Sequence, residues 1–535
     1  MQSPPAWSGL TSQSDSCLKL YWCKSRGCDM NHLNLQNDHA SLPDSVWPAE
    51  SLTHLEQEGA DCLGITLFEL MQRAGEAAFN LLRTQWPSAQ HWLILCGNGN
   101  NGGDGYIVAR LAQSAGLAVT LVAVDGSKPL PEESQQAREA WLAAGGVIHD
   151  AAIAWPESTE LIIDALLGTG LNRAPVAAYA ALIAQANRHP APIFALDIPS
   201  GLVAANGTTP GMVIHASHTL TFIALKPGLL TGKARDCVGQ LHHHSLGLQQ
   251  WLDAQPAPMA RYDASNLANW LPPRRPTSHK GNHGRLLVIG GDHGTAGAIR
   301  MTAEAALRCG SGMVRVLTHK ENIGPLLTAR PELMVQELSR STLDAGLEWA
   351  DVIVIGPGLG QGQWGKEALK KVENSPKTML WDADALNLLA ISPDKRQNRI
   401  ITPHPGEAAR LLNVKTAEIG SDRLLAVRRL VKRYGGVVVL KGAGTLIAGG
   451  DKLAFADVGN AGMASGGMGD VLSGIIGSLA GQKLPLFDAA CAGCVAHGAA
   501  ADAVAQRRGT RGMLATDLFS ELYLFVNPEI SNTKA

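Results

Sequence analysis

The sequence predicts an α/β protein of two domains, each a parallel sheet with helices on both faces. Three observations carry this. The chain has 535 residues, more than one hydrophobic core serves. Short apolar strands alternate with helix-period segments in both halves. The 58 glycines are interspersed with Ala, Val, Leu and Ile, the pattern of tight strand-to-helix turns rather than of low complexity.

The elements follow in order. Residues 66–86, TLFELMQRAGEAAFNLLRTQW, repeat apolar residues at helical spacing. His91–Cys96 (HWLILC) reads as a strand, followed by the loop GNGNNGGDG (97–105) and a helix, Tyr106–Ser114. A strand at 117–124, a helix near 134–144 and a strand LIIDALLG (161–168) come next. That strand runs into GTGLNR (168–173), and IFALDIPSG (193–201) is a further strand with its exit loop. Ligands of such sheets bind beyond the carboxyl ends of the strands, where all three loops fall.

Residues 254–280 are Pro-rich and read as a linker, with Arg274 and Arg275 solvated. A second αβ series begins at GRLLVIGGDHG (284–294) and continues through a helix at 296–309 and the strand MVRVLT. DVIVIGPGLG (351–360), TMLWDADALN (378–387), IITPHPGE (400–407) and GVVVLKGAGT (436–445) follow, then helices at 470–480, 486–505 and 514–526. The expected domains are therefore 30–253 and 281–535. Residues 1–29 show no periodicity and read as a disordered or non-native leader, with Met30 a candidate start. Cys17, Cys23 and Cys28 in that leader lack paired CxxC spacing and a fourth metal ligand.

Charge and composition exclude several classes. The formal net charge of −2 implies no general affinity for nucleic acid or anionic membrane. No apolar run approaches the ~20 residues that span a bilayer. Nine scattered cysteines fit a reducing cytosol, so a cytoplasmic protein is expected, and a homo-oligomer is the expected assembly. Cys491 and Cys494 read as small core residues, and the run His242–His244 as a strand or surface run rather than a metal site.

Two glycine loops carry the chemistry. In NAGMASGGMGDVLSG (460–474) a glycine-rich loop opens an apolar helix. Its N–H groups and the helix N-terminus would hold a phosphate, with Asp470 beside it as a candidate base. Lys441, Gly442, Ala443, Gly444 and Thr445 leave an apolar strand and could receive phosphate, although the spacing is not that of a P-loop. His404 and Glu407 lie at another strand exit, where the plain structural reading is a capped helix. In the first half, Asn100, Asn101, Gly102, Gly103 and Asp104 gather amides, glycine N–H groups and a carboxylate suited to a dinucleotide's phosphates and ribose. This is not the GxGxxG fingerprint, so ordinary redox use of NAD is not implied. Asp164 and Asp197 both end apolar strands, where helix capping is the alternative to a site role.

At this point the chain resembles a known family. GGMGD, KGAGT, TPHPGE, GPGLG and HKGNHGRLLVIGG are similar to motifs of the carbohydrate-kinase-related NAD(P)HX dehydratases, which share the ribokinase-like fold. GNGNNGGDG, DALLGTGLNR and LDIPSG resemble the NAD(P)HX epimerases, a Rossmann-like three-layer domain. The resemblance covers about residues 45–530 and implies metabolite repair. Water added across C5–C6 of the NADH or NADPH ring gives R and S hydrates, NADHX and NADPHX. The epimerase interconverts them, and the dehydratase consumes the S form with ADP, releasing AMP and phosphate. The resemblance further implies that Asp470 takes the hydroxyl proton, that Lys441–Thr445 and Gly469 hold the nucleotide, and that Gly297, Gly358 and His404 line the hydrate pocket. Magnesium is expected with the nucleotide. Asp197 would be the epimerase acid/base, and Asn101, Asp164 and Ser200 would hold K+, an oxygen-only set suited to a hard cation. Gly168, Thr169, Gly170, Leu171, Asn172, Arg173 and Ala174 would close over the substrate.

Two other readings fit part of the pattern. One is a kinase of a small alcohol fused to a nucleotide-binding module, which fold alone does not exclude. The other makes the first half a non-catalytic scaffold; Asp104, Asp164 and Asp197 are all present, which favours catalysis.

Overall fold

The computed structural model describes residues 42–124 and 129–528. The leader, with its three cysteines, lies outside them. In chain order, β1 is Ser45–Val46, β2 His91–Cys96, β3 Ala118–Ala123, β4 Ile148–His149, β5 Leu161–Ala165, β6 Ile193–Leu196, β7 His218–Phe222, β8 Gln240–His244 and β9 Met259–Tyr262. The series continues with β10 Arg285–Ile289, β11 Met313–Thr318, β12 Met334–Glu337, β13 Val352–Ile355, β14 Thr378–Trp381, β15 Arg399–Ile401, β16 Val437–Leu440, β17 Thr445–Gly449 and β18 Lys452–Ala456.

Two sheets result. One runs β4-β3-β2-β5-β6-β7-β8, and the other β1-β9-β18-β17-β16-β15-β14-β13-β10-β11-β12. Every pair in the first is parallel. The second is parallel from β16 through to β12, then turns back in the antiparallel hairpin β17–β18. Strands buried on both faces read as continuous apolar runs, which is why VIVI and VVVL were legible as strands.

Successive side chains feed opposite cores, as a period of two requires. Leu286 and Val288 enter one core, Leu287 and Ile289 the other. In the first sheet Ile94 and Cys96 face one helix layer, Leu93 and Leu95 the other. Both halves are therefore three-layered.

Four details depart from the sequence reading. The helix expected at Tyr106 begins at Asn100, so the Asn/Gly motif is its first turn and not a loop before it. The C-terminal segment splits into a 3-10 turn, Ala515–Ser520, and a short helix, Leu522–Val526. Arg274 is not simply solvated: its guanidinium donates to Gly310 O and Gln482 Oε1, both at 2.7 Å. The fourth concerns the Pro-rich stretch expected to link the halves. It supplies β9, which lies parallel to β18 and antiparallel to β1. The first sheet is thus inserted between two neighbouring strands of the second. Val46, Leu225, Leu230 and Met259 pack into a core of the second half.

Cys491 is fully buried and Cys494 nearly so. His242–His244 complete β8, where the His242 ring stacks on His218 at 5.2 Å. No helix among the described residues is long and apolar enough to cross a membrane.

Candidate active sites

A cavity of about 790 Å³ opens at the carboxyl ends of β2, β5 and β6. Of the expected residues, Asn100, Asn101, Asp104, Gly168 through Arg173, and Asp197 face it. Gly102 and Gly103 lie behind that wall. A Cβ on Gly102 would stand 2.1 Å from Gly97 O, and one on Gly103 2.6 Å from Met71 Sδ. These glycines let the helix Asn100–Ser114 nest against the strand exit, while its first-turn N–H groups have no acceptor within the helix. Ala174 lies past the wall, beside Gly211.

Asp197 leaves β6 with φ 62°, a left-handed conformation that costs a side-chain-bearing residue energy. The surroundings hold it there. Its N–H donates to Leu220 O at 2.7 Å. Its Oδ1 accepts from the Thr221 hydroxyl and the Phe222 N–H, each at 3.2 Å, and from Lys226 Nζ. Lys226 is 2% exposed and also donates to Thr221 Oγ1 at 2.8 Å and Phe222 O at 3.0 Å. Sequence reasoning missed this lysine. Its signal was a lone cation in the apolar run TLTFIALKPGLL (219–230).

Three further carboxyls share the cavity, Glu56, Asp104 and Glu133. Burial, and then the Asp197 charge, push Glu56 up to about 7. Burial raises Asp104 well above the carboxylate range, with Asp197 and Glu56 adding to it.

Beneath the loop at 166–168 lies an oxygen cluster. Asp164, fully buried, accepts from the Ser200 hydroxyl at 2.6 Å and the Ser200 N–H at 2.8 Å. Burial pushes its carboxyl up to about 6. Ser200 Oγ also lies 3.3 Å from Leu167 O, which accepts from the Asn101 amide at 3.3 Å. Asn101 Oδ1 is buried with no hydrogen-bond partner. An orphaned acceptor beside a buried carboxylate fits a cation, because burial without a partner costs on the order of 1–3 kcal/mol.

In the second half, Asp470 is the third residue of the helix Met468–Gly481, whose N-cap Gly467 sits at φ 91°. Burial and the neighbouring Asp382 push Asp470 up to about 7. Lys441 Nζ donates to Asp382 Oδ1 at 2.9 Å and lies 3.8 Å from Glu407. Ser473 Oγ holds the other Asp382 oxygen at 2.8 Å. A Cβ on Gly469 would stand 3.2 Å from Lys441 Nζ, so the glycine lets the ammonium approach the helix start. Asp382 was missed too, although it ends β14 as Asp197 ends β6.

His404 caps the helix Pro405–Leu412, as the plain reading anticipated. Its Nδ1 accepts from Gly406 N–H at 3.0 Å, and its own N–H donates to Glu407 Oε2 at 2.8 Å. Nε2 lies 3.6 Å from Glu407 Oε1, and the ring as a whole is half exposed. Gly358, at φ 60°, accepts through its carbonyl from Thr295 Oγ1 at 2.8 Å. This ties its loop to the start of the helix bearing Gly297, where a Cβ would meet nothing within 4 Å.

The Lys441–Thr445 loop is braced by the other half. Thr231 Oγ1 donates to Gly444 O at 2.9 Å and accepts from Arg423 Nε at 3.0 Å. A Cβ on Gly444 would stand 1.8 Å from Leu230 O.

Residues 286–524 match the family described as NAD(P)H-hydrate dehydratase, and residues 67–228 the family described as YjeF-related protein N-terminus. The chain is 67% identical to the bifunctional NAD(P)H-hydrate repair enzyme Nnr of Escherichia coli (strain K12), over 94% of this chain and 98% of that one. It is 44% identical to the bifunctional NAD(P)H-hydrate repair enzyme of Leishmania braziliensis, over 91% and 94%. For the Nnr of Vibrio cholerae the identity is 43%, over 91% and 99%.

Proposed function

The chain belongs to the bifunctional NAD(P)H-hydrate repair enzymes, an epimerase joined to a dehydratase, and on that premise we propose which residues perform each reaction. The observation that carries the division is that each half ends a strand in a carboxylate paired with a lysine: Asp197 with the buried Lys226, and the buried Asp382 with the partly buried Lys441.

In the dehydratase, Asp470 takes the proton of the C6 hydroxyl as that oxygen attacks the terminal phosphoryl of ADP. The first-turn N–H groups at Gly469 and Asp470, with Lys441, stabilise the transferred charge. AMP departs, and the phosphorylated hydroxyl leaves as phosphate while C5 loses a proton, restoring the ring double bond. The Lys441–Thr445 loop seats the nucleotide, and Gly297, Gly358 and His404 line the hydrate pocket. Mg²⁺ would bind through the nucleotide phosphates, keeping several of its waters.

In the epimerase, Asp197 moves the proton of the oxygen carried on C6. Asn100, Asn101, Asp104 and the 168–174 loop hold the hydrate, with Gly102 and Gly103 contributing backbone only. Asn101, Asp164 and Ser200 would hold K⁺, whose charge offsets the buried Asp164 carboxylate and gives the orphaned Asn101 oxygen a partner.

The test incubates mixed R and S hydrates with ADP, with ATP, or with neither, and follows absorbance of the regenerated cofactor. Complete conversion with ADP supports the reading. Conversion that stops at the S fraction, or proceeds without nucleotide, refutes the corresponding half.

A further inference from the structure

Epimerisation inverts one carbon. C6 carries the hydroxyl and adjoins the ring nitrogen, so the C6–O bond breaks with the nitrogen lone pair forming a C=N⁺ bond. Water then adds from the opposite face. Departure needs a proton donor at the leaving oxygen, and addition needs an acceptor at the incoming water. The two oxygens lie on opposite faces of a ring, so two groups are required.

Asp197 supplies one. It is an ion-paired carboxylate with two further donors on Oδ1. Among the carboxyls of the cavity, Glu56 and Glu133 reach it from helices of their own, Leu52–Leu63 and Glu132–Ala143. The first turns Leu52, Thr53 and Glu56 toward the cavity, and Asp197 is the charge that acts most on Glu56 there. Its helix precedes the matched family segment 67–228. Asp104 also faces the cavity, but it sits in the buried first turns of the helix Asn100–Ser114, on the strand-exit side shared with Asp197.

We propose that Glu56 is the second catalytic residue of the epimerase, the proton donor and acceptor on the ring face opposite Asp197. The inference rests on the epimerase reading above. In one direction Glu56 protonates the departing hydroxyl, which leaves as water, and Asp197 takes a proton from the water that adds. In the reverse direction the roles exchange, and solvent returns the proton between turnovers. Charge in the cavity fits. Glu56 faces Asp197, Lys226, Glu133, Asp104 and Arg173. Burial and the Asp197 charge push it up to about 7, so it holds a proton to donate near neutrality. The carboxylates stabilise the transient cation.

The experiment uses the full chain and the R hydrate, with epimerisation read by capture of the S form and with pH varied. Wild type should lose R-to-S rate as pH rises through about 7. Glu56→Gln should run roughly 10²- to 10⁴-fold slower with that alkaline limb gone. It should dehydrate the S hydrate normally, which shows the chain is folded. A near wild-type rate, or a slow rate that keeps the same limb, overturns the proposal. If Glu56→Gln also loses dehydration, Glu56→Asp decides: a slowed rate with the limb retained supports the acid, and a rate equal to that of Glu56→Ala overturns it. A wild-type chain with no epimerase activity refutes instead the epimerase reading.

Discussion

Removing residues 1–280 takes five buried side chains from the second half: Val46, Leu225, Leu230, Met259 and Leu267, each 4% exposed or less. Each such burial stabilises by roughly 1.5–3 kcal/mol, so the loss is on the order of 8–15 kcal/mol as an upper bound. Whole domains are stable by about 5–15 kcal/mol. The same cut unpairs one edge of β18 and strips Asp457 of both Arg235 and Arg261. A fragment 281–535, the second domain expected from the sequence, should therefore aggregate or unfold. A fragment 257–535 keeps β9, Met259, Leu267 and the Arg261–Asp457 pair, and should be soluble and dehydrate the S hydrate. Both would be purified, unfolded in urea and assayed. Equal midpoints and equal rates for the two fragments would refute the reasoning.

Asp470→Asn should slow nucleotide-dependent dehydration by about 10²- to 10⁴-fold while R and S forms still interconvert; near wild-type dehydration would exclude Asp470 as the base. Because that base must be unprotonated and its carboxyl stands at about 7, the dehydration rate should climb as pH rises through about 7 and then level, as read from a kcat/KM profile. Ser200→Ala should abolish any preference for K⁺ over Na⁺ in epimerisation and leave dehydration unchanged. Thr231→Val removes the hydroxyl bridging Gly444 O and Arg423, so it should destabilise the chain by about 1–3 kcal/mol in urea and raise the nucleotide KM, with Asp197 chemistry intact.

Much of this architecture was legible because doubly buried parallel strands announce themselves as apolar runs. HWLILC and MVRVLT match β2 and β11 residue for residue. Strand exits were legible as well, and Asp197 and Asp470 stand where glycine and carboxylate coincide. Their partners were not. Lys226 is a lone cation in an apolar run and Asp382 is one of two aspartates in WDAD, and only the fold brings each to its mate across 29 and 59 positions. Glu56 lies on an amphipathic helix where an acid reads as a solvated face. β9 hid among prolines, because four residues, flanked on one side by a two-residue edge strand, carry too short a pattern to outweigh them. The reading of Asn100 as loop failed differently: asparagine and glycine discourage helix in isolation, yet close packing under Gly97 and Met71 demands residues that small.

The nesting of one sheet inside the edge of another also sets an order of events at the ribosome. Val46 leaves the exit tunnel early, but the strand it pairs with, at Met259, follows some 213 positions later (259 − 46). At ~5–20 residues per second that delay is roughly ten to forty seconds. The seven-stranded sheet is complete within that interval and can close while Ser45–Val46, bridged so far only to Leu225, waits for its strand partner. The second sheet cannot finish its edge until its own last strands arrive, and β18 ends only at Ala456. The epimerase half is thus a finished body against which the dehydratase half assembles. Pulse-labelled chains stalled near residue 280 should already resist protease through Gln240–His244 and still be cut at Val46.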